Sequence, residues 1–410
     1  MVRLICFLGL AGLILSCTQS DKPDVANEEY SKIWRAQLLL SDAKEKIKLP
    51  FIFEFDVNES KPSFVIINGQ EKITLDNVTI KGDSIWVSMD PYDSRLELKI
   101  DGKNIKGVWR NLAKGPNYMI PFVARNGTKI RFLDPRFSEM DASGRYKLNF
   151  GNSIDGFEAI GEFTQEGNVV TGTIRTETGD YRFLEGRQCG NEMYLSCFDG
   201  SHAFLFHAHF QKGNLIDSAV FYSGTHYTEN WKGAKNDTFQ LRNPDSLTVL
   251  TSDSGLFAFE IPMKNGDTLS QNSGRFNDKP VIVQIMGTWC PNCKDETEFL
   301  KETSKKYGKK LEIIAVCFEY GDKQVARKRI DKYIDLMGVE YPMIYGGLPK
   351  NEVVTERFKT LNEIISYPTL VVLDKNKQIK KIHTGFNGPA TSQYDAFKSD
   401  MTQLLDSLTQ

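Results

Sequence analysis

The chain has 410 residues, 40% hydrophobic and 25% charged, with a formal net charge of -2. That length suits two or three domains. Nothing in the near-neutral charge suggests a nucleic-acid or anionic-lipid surface, so no nucleic-acid partner is expected. The 26 Phe, 15 Tyr and 32 Gly favour β-structure in part of the chain.

Residues 1–16 read as a secretory signal. Arg3 provides a positive start, and residues 4–15 form an apolar run too short to span a bilayer. Ile14, Leu15 and Ser16 precede Cys17. This resembles the lipobox of bacterial lipoproteins, in which the signal is cut before a cysteine that then carries lipid. Residues 17–30 are polar and contain a proline, as a flexible tether would be. The expected location is therefore the cell envelope of a diderm bacterium, facing the periplasm. The membrane contact would be a lipid anchor at Cys17, for which two or more acyl chains suffice.

Residues 30–40, YSKIWRAQLLL, fit either a short helix or a strand. From residue 49 onward, short runs rich in β-branched and aromatic residues alternate with hairpin-type turns such as Asn68-Gly69, Gly82-Asp83 and Asp101-Gly102. The pattern pauses near residues 135–144 and resumes. Residues 31–245 are expected to form an antiparallel all-β region of sandwich or barrel type, with two modules split at that pause.

The polar stretch around Ser252 marks a domain boundary. Residues 253–410 alternate strands and helices, the pattern of an α/β sheet covered on both faces. The overall fold class is thus mixed: all-β, then α/β.

Five cysteines remain once Cys6 and Cys17 are set aside. In a hairpin turning at Gly190-Asn191, Cys189 faces Glu192 and Cys197 lies opposite Leu184. The two sulfurs are then offset by roughly 17 Å, whereas a disulfide needs α-carbons within about 7 Å. Both are expected to stay thiols. Cys317 lies in an apolar strand and is expected to be a core residue. His207 and His209 share a strand face near His202 and Cys197. They are read as polar residues on an exposed sheet surface, and no metal is expected.

The chemistry centres on GTWCPNC, residues 287–293. Structural zinc needs four ligands, and this half holds no second C-x-x-C and one histidine, His383. A structural bridge across two residues closes little chain entropy. C-x-x-C between a strand and a helix in an α/β pattern is instead a redox signature. Cys290 would be accessible at the helix N-terminus, where orphan N–H groups and the dipole favour thiolate. Cys293, one turn in, would be the shielded resolving thiol. Pro291 fits the first helical turn, where its missing N–H has no partner.

These residues resemble the TlpA/ResA-like thiol-disulfide oxidoreductases, membrane-tethered thioredoxin-fold proteins of the bacterial envelope. Three features carry the likeness: WCPNC, Glu296 three residues after Cys293, and Tyr367-Pro368-Thr369 before an apolar strand. The resemblance implies Cys290, Cys293 and Glu296 as catalytic residues, with a cis-proline at Pro368. It implies that Trp289, Tyr367 and Pro368 bind substrate, and that no cofactor is used. The implied partners are protein disulfides and a membrane electron donor that keeps the pair reduced. Gln284 stands where thioredoxins carry a buried aspartate. Gln284 cannot take a proton, so acid/base work falls to Glu296; the plain alternative is that Glu296 is a solvated member of KDETE. Two rival readings are a peroxiredoxin-like peroxidase and a ligand- or partner-binding β-region with an accessory redox domain. Val283 and Gly287 stand where a peroxidatic motif wants Pro and Thr or Ser.

Overall fold

Alternating burial shapes the first β-region. In the computed structural model, which describes residues 31–41, 47–56, 59–138, 140–152, 154–251 and 256–410, Trp34, Ala36 and Leu38 point inward along the strand Ile33–Leu39. The helix-or-strand ambiguity there resolves to strand, because both neighbours supply ladders: Lys48–Phe55 on one side and Met119–Asn126 on the other. Nine antiparallel strands follow one another around this sheet. Among the described residues, the ladder is unpaired only between Glu71–Leu75 and Val78–Lys81. Aromatic side chains fill the inside, with Phe53 and Phe64 stacked at 4.1 Å. Such rings dominate core energetics by the apolar area they bury.

The second β-region closes completely. Nine strands run from Gly144–Phe150 to Tyr227–Lys235; eight of them close into a ring, the last pairing with the first through Phe150 and Trp231, and the ninth, Gly179–Asp180, pairs only with Val169–Thr176. Closure leaves no strand edge open to aggregation. The tight curvature needs glycine at close approaches: a Cβ on Gly186 would collide with the Tyr194 carbonyl. Phe150, Phe206, Phe221 and Trp231 pack the interior, with Phe206 and Phe221 at 4.4 Å. The turn at Gly190 lies where sequence reasoning put it, pairing Cys189 with Glu192, and Cys189 and Cys197 are free thiols. Phe198, Ala203 and Leu205 of this barrel also belong to the core of the first sheet, so the two β-regions are fused.

In the C-terminal region, five strands form one sheet. Their order is Met343–Gly347, Glu312–Phe318, Val281–Met286, Thr369–Leu373, Ile379–Thr384; the first three run parallel and the last two antiparallel to their neighbours. The central strand VIVQIM is buried at every residue, as its unbroken apolar run requires in a sheet covered on both faces. The helices are α1 (Pro291–Tyr307), α2 (Lys323–Met337), α3 (Asn351–Arg357) and α4 (Tyr394–Leu408). Side chains of α1, α2 and α4 join Ile282 and Met286 in one core; Val354 of α3 joins Val281, Val283 and Ile285 in the other. Gln284 therefore faces the α1 side. No helix among the described residues is long and apolar enough to cross a membrane. The expected signal, Cys17, the tether and the Ser252 boundary lie outside the described residues.

Candidate active site

Cys290 is the N-cap of α1, with extended backbone (φ -100°, ψ 116°), and its sulfur accepts the backbone N–H of Cys293 at 3.2 Å. Pro291 follows at the first helical position. This is where a helix leaves N–H groups without intrahelical partners and presents the positive end of its dipole. Across the site, the Tyr367–Pro368 bond is cis, and the Cys290 thiol lies 3.5 Å from the Tyr367 carbonyl. Trp289 packs against Tyr367 and Tyr320, and its indole N–H donates to the Phe318 carbonyl at 3.0 Å. The structure thus brings Trp289, Cys290, Cys293, Tyr367 and Pro368 together.

Cys293 is fully buried. Burial, together with the hydrogen bond and charge of the Cys290 sulfur, pushes its thiol well above the ordinary range. Glu296 is also fully buried rather than a solvated member of KDETE. One carboxyl oxygen accepts the Gln284 amide at 3.0 Å; the other has no hydrogen-bonding partner among the described residues. Burial pushes Glu296 up to about 8, and the Gln284 hydrogen bond only partly opposes this. The hydroxyls of Tyr333 and Tyr341 are buried beside Thr297 in the same core. Together these groups form a polar layer within the α1-side core.

Glu319 was not singled out from sequence, although a charged residue directly after the apolar run IIAVCF was the available signal. It is fully buried and accepts both the backbone N–H and the hydroxyl of Thr288, at 2.6 and 2.9 Å. That carboxyl holds the loop leading to Trp289 and Cys290, and burial raises it to about 7.

One expectation differs from the structure. Cys290 was expected to be accessible, yet it is only 7% exposed. The β-regions cover the rim around it. Ser201 donates to the Trp289 carbonyl at 2.9 Å, Asn292 donates to the Asp180 carbonyl at 3.3 Å, and Ser366 donates to the Thr178 carbonyl at 2.7 Å. No local pattern in the sequence announces contacts between residues more than 80 positions apart.

The histidines stay apart from this chemistry. His207 pairs with Glu192 at 2.7 Å and His209 with Asp217 at 2.8 Å, on a partly exposed barrel face. Among the described residues, no group of three or more His, Cys, Asp or Glu side chains is placed to hold a metal ion.

Residues 252–397 match the redoxin family. The thioredoxin-like protein YneN of Bacillus subtilis is 27% identical over 121 residues, 29% of this chain and 65% of that protein. The thiol-disulfide oxidoreductase ResA of Geobacillus thermodenitrificans is 28% identical over 113 residues, 27% of this chain and 57% of that protein. The C-terminal region is thus similar to TlpA/ResA-like proteins of the thioredoxin superfamily. This chain spans less than two thirds of the length of either curated relative. The TlpA/ResA-like domain is also similar to a DsbF homologue from Corynebacterium diphtheriae, at 20% identity and a TM-score of 0.30, covering 42% of this chain and 99% of that one. A thiol-disulfide oxidoreductase from Bacteroides fragilis matches at 18% identity and a TM-score of 0.28, covering 36% and 97%. Beyond the TlpA/ResA-like domain, the β-regions add a cover over its dithiol.

Proposed function

We propose that this protein is an envelope-anchored thiol-disulfide oxidoreductase that reduces disulfides in protein substrates. The observation that carries this reading is the Cys293 N–H directed at the Cys290 sulfur where α1 begins, beside the Tyr367–Pro368 turn. In the first step the Cys290 thiolate attacks one sulfur of a substrate disulfide. A Cys290–substrate disulfide forms, and the other substrate sulfur leaves as thiolate. Cys293 then gives up its proton and attacks the Cys290 sulfur. The internal Cys290–Cys293 disulfide forms and the second substrate thiol departs. Two electrons have passed from the dithiol to the substrate. A membrane-bound donor must return them, because the periplasm is held oxidising.

Glu296 is the group to receive the Cys293 proton: it is buried three residues along α1 and, raised to about 8, has a share of carboxylate able to accept a proton as pH approaches 8. Trp289, Tyr367 and Pro368 shape the rim on which a substrate segment would rest. Cys17 would tether the chain by lipid in a diderm envelope, facing the periplasm.

Cys290→Ser should abolish reduction of insulin disulfides, and Cys293→Ser should accumulate mixed disulfides with captured envelope proteins. Undiminished insulin reduction by Cys290→Ser sinks the assignment. The anchor is tested separately: incorporation of labelled palmitate should disappear in Cys17→Ser.

A further inference from the structure

The cover over Cys290 is a definite element. The strand Val169–Thr176 turns back on itself so that Thr176 pairs with Gly179 and Arg175 with Asp180. The tip of this hairpin lies on the first turn of α1 and on two loops of the C-terminal domain, those of Ser366 and of Gly385–Gly388. Thr178 accepts from Ser366, next to Tyr367; Asp180 accepts from Asn292 through its carbonyl and from the Gly388 N–H through its carboxylate, the last at 2.6 Å. Gly385 lies so close that a Cβ there would stand 2.7 Å from the Thr178 carbonyl carbon.

The root of the hairpin is fastened equally firmly. Arg182 has left-handed backbone (φ 65°) and is almost completely buried. Its guanidinium pairs with Glu71 of the first sheet at 2.9 Å and with Asp295 of α1. One arginine therefore ties both β-regions to the helix that carries the dithiol. Weaker contacts bound the interface farther out: Ser392 with Glu162 at 2.8 Å, and Lys332 with Asp90 at 2.7 Å.

We propose that the hairpin at residues 176–182 determines substrate class: docked, it confines Cys290 to small disulfides, and a disulfide in a folded protein reaches the sulfur only when the hairpin leaves. The inference rests on the exchange reaction proposed above. A thiolate must approach a disulfide along the S–S axis, so a bulky polypeptide needs free space around the attacking sulfur. Here the hairpin is hydrogen-bonded to residues on both sides of Cys290, and the sulfur's residue is left only 7% exposed. The hairpin thus adds a conformational step before protein reduction and none before reduction of a small molecule.

The test uses the full chain and two variants outside the dithiol machinery. Lys332→Gln with Ser392→Ala loosens the outer contacts; Gly179→Ala, on the hairpin itself, would set a Cβ 2.3 Å from the Asn292 side-chain nitrogen and so pushes the tip off the cleft. Turnover is measured with hydroxyethyl disulfide and with insulin, dithiothreitol returning the electrons to the Cys290–Cys293 disulfide and the rate without protein subtracted. Cys290 alkylation is measured with iodoacetamide and with a poly(ethylene glycol) maleimide. In the unmodified chain, the polymer reagent should lag far behind iodoacetamide, relative to their rates on glutathione. The variants should raise insulin turnover and polymer labelling roughly three- to tenfold, as loss of partly exposed contacts allows, with hydroxyethyl disulfide turnover held within about twofold. Equal access of both reagents in the unmodified chain overturns the proposal, as do insulin rates unmoved in both variants. If neither disulfide is reduced, the exchange reaction fails, and the labelling ratio still decides the role of the hairpin.

Discussion

The side-chain amide of Gln284 donates to the carboxyl of Glu296 at 3.0 Å, on the side of the sheet that carries α1 and the dithiol. A neutral amide can stabilise a carboxylate only modestly, so burial dominates and the carboxyl is raised to about 8. The folded protein then holds a proton on Glu296 between pH 4.5 and about 8 that the unfolded chain has released. Stability must fall as pH rises through that window and level off above it. Glu319, raised to about 7, adds a decline of the same sign ending lower.

Glu296→Gln removes the larger of these two declines. Thermal melts of the variant should show a shallower loss of stability between pH 5 and 9, with an advantage over the unmodified chain at pH 9 on the order of a few kcal/mol. Identical slopes would mean that Glu296 is solvated.

The same substitution should slow one chemical step and spare another. Cys293 is pushed well up by burial and by its Cys290 neighbour, so it needs a base to become nucleophilic. Loss of a general base typically costs about a hundredfold or more. In rapid-quench experiments near pH 8, Glu296→Gln should form the Cys290 mixed disulfide at an ordinary rate and resolve it slowly. Equal slowing of both steps would assign Glu296 a structural role.

Glu319→Ala should cost about 1–3 kcal/mol in denaturant unfolding, because the Thr288 N–H loses its acceptor in a buried place. Tryptophan fluorescence should also report a loosened Trp289. An unchanged midpoint would show that water replaces the carboxyl without cost.

Thiol mapping by mass spectrometry should find Cys290 modified first by a small alkylating reagent. Cys197 and Cys317 are buried and pushed well above the ordinary thiol range, and burial also raises Cys189. These three and Cys293 should react only on unfolding. Early labelling of Cys197 would contradict the closed barrel that encloses it.

Much of this site was legible in the residues. The motif GTWCPNC, its strand-to-helix context and the Tyr367-Pro368 turn place both cysteines, and the hairpin at Gly190 keeps Cys189 and Cys197 apart. The burial of Glu296 was not legible, since KDETE reads as a solvated helix start. Its side chain turns inward because position 296 falls on the face of α1 that meets Gln284.

Local pattern alone determined the elements: apolar runs make the central strand of the redox domain, alternating residues make the β-strands, and Cys290 must cap a helix because strand, Pro291 and polar helix follow in order. Tertiary structure decided how those elements meet. The closure of the second sheet between residues 150 and 231, the inward turn of Glu296, and the hairpin over Cys290 each depend on contacts between distant residues. Periodicity records which face of an element is buried, but not which distant surface buries it.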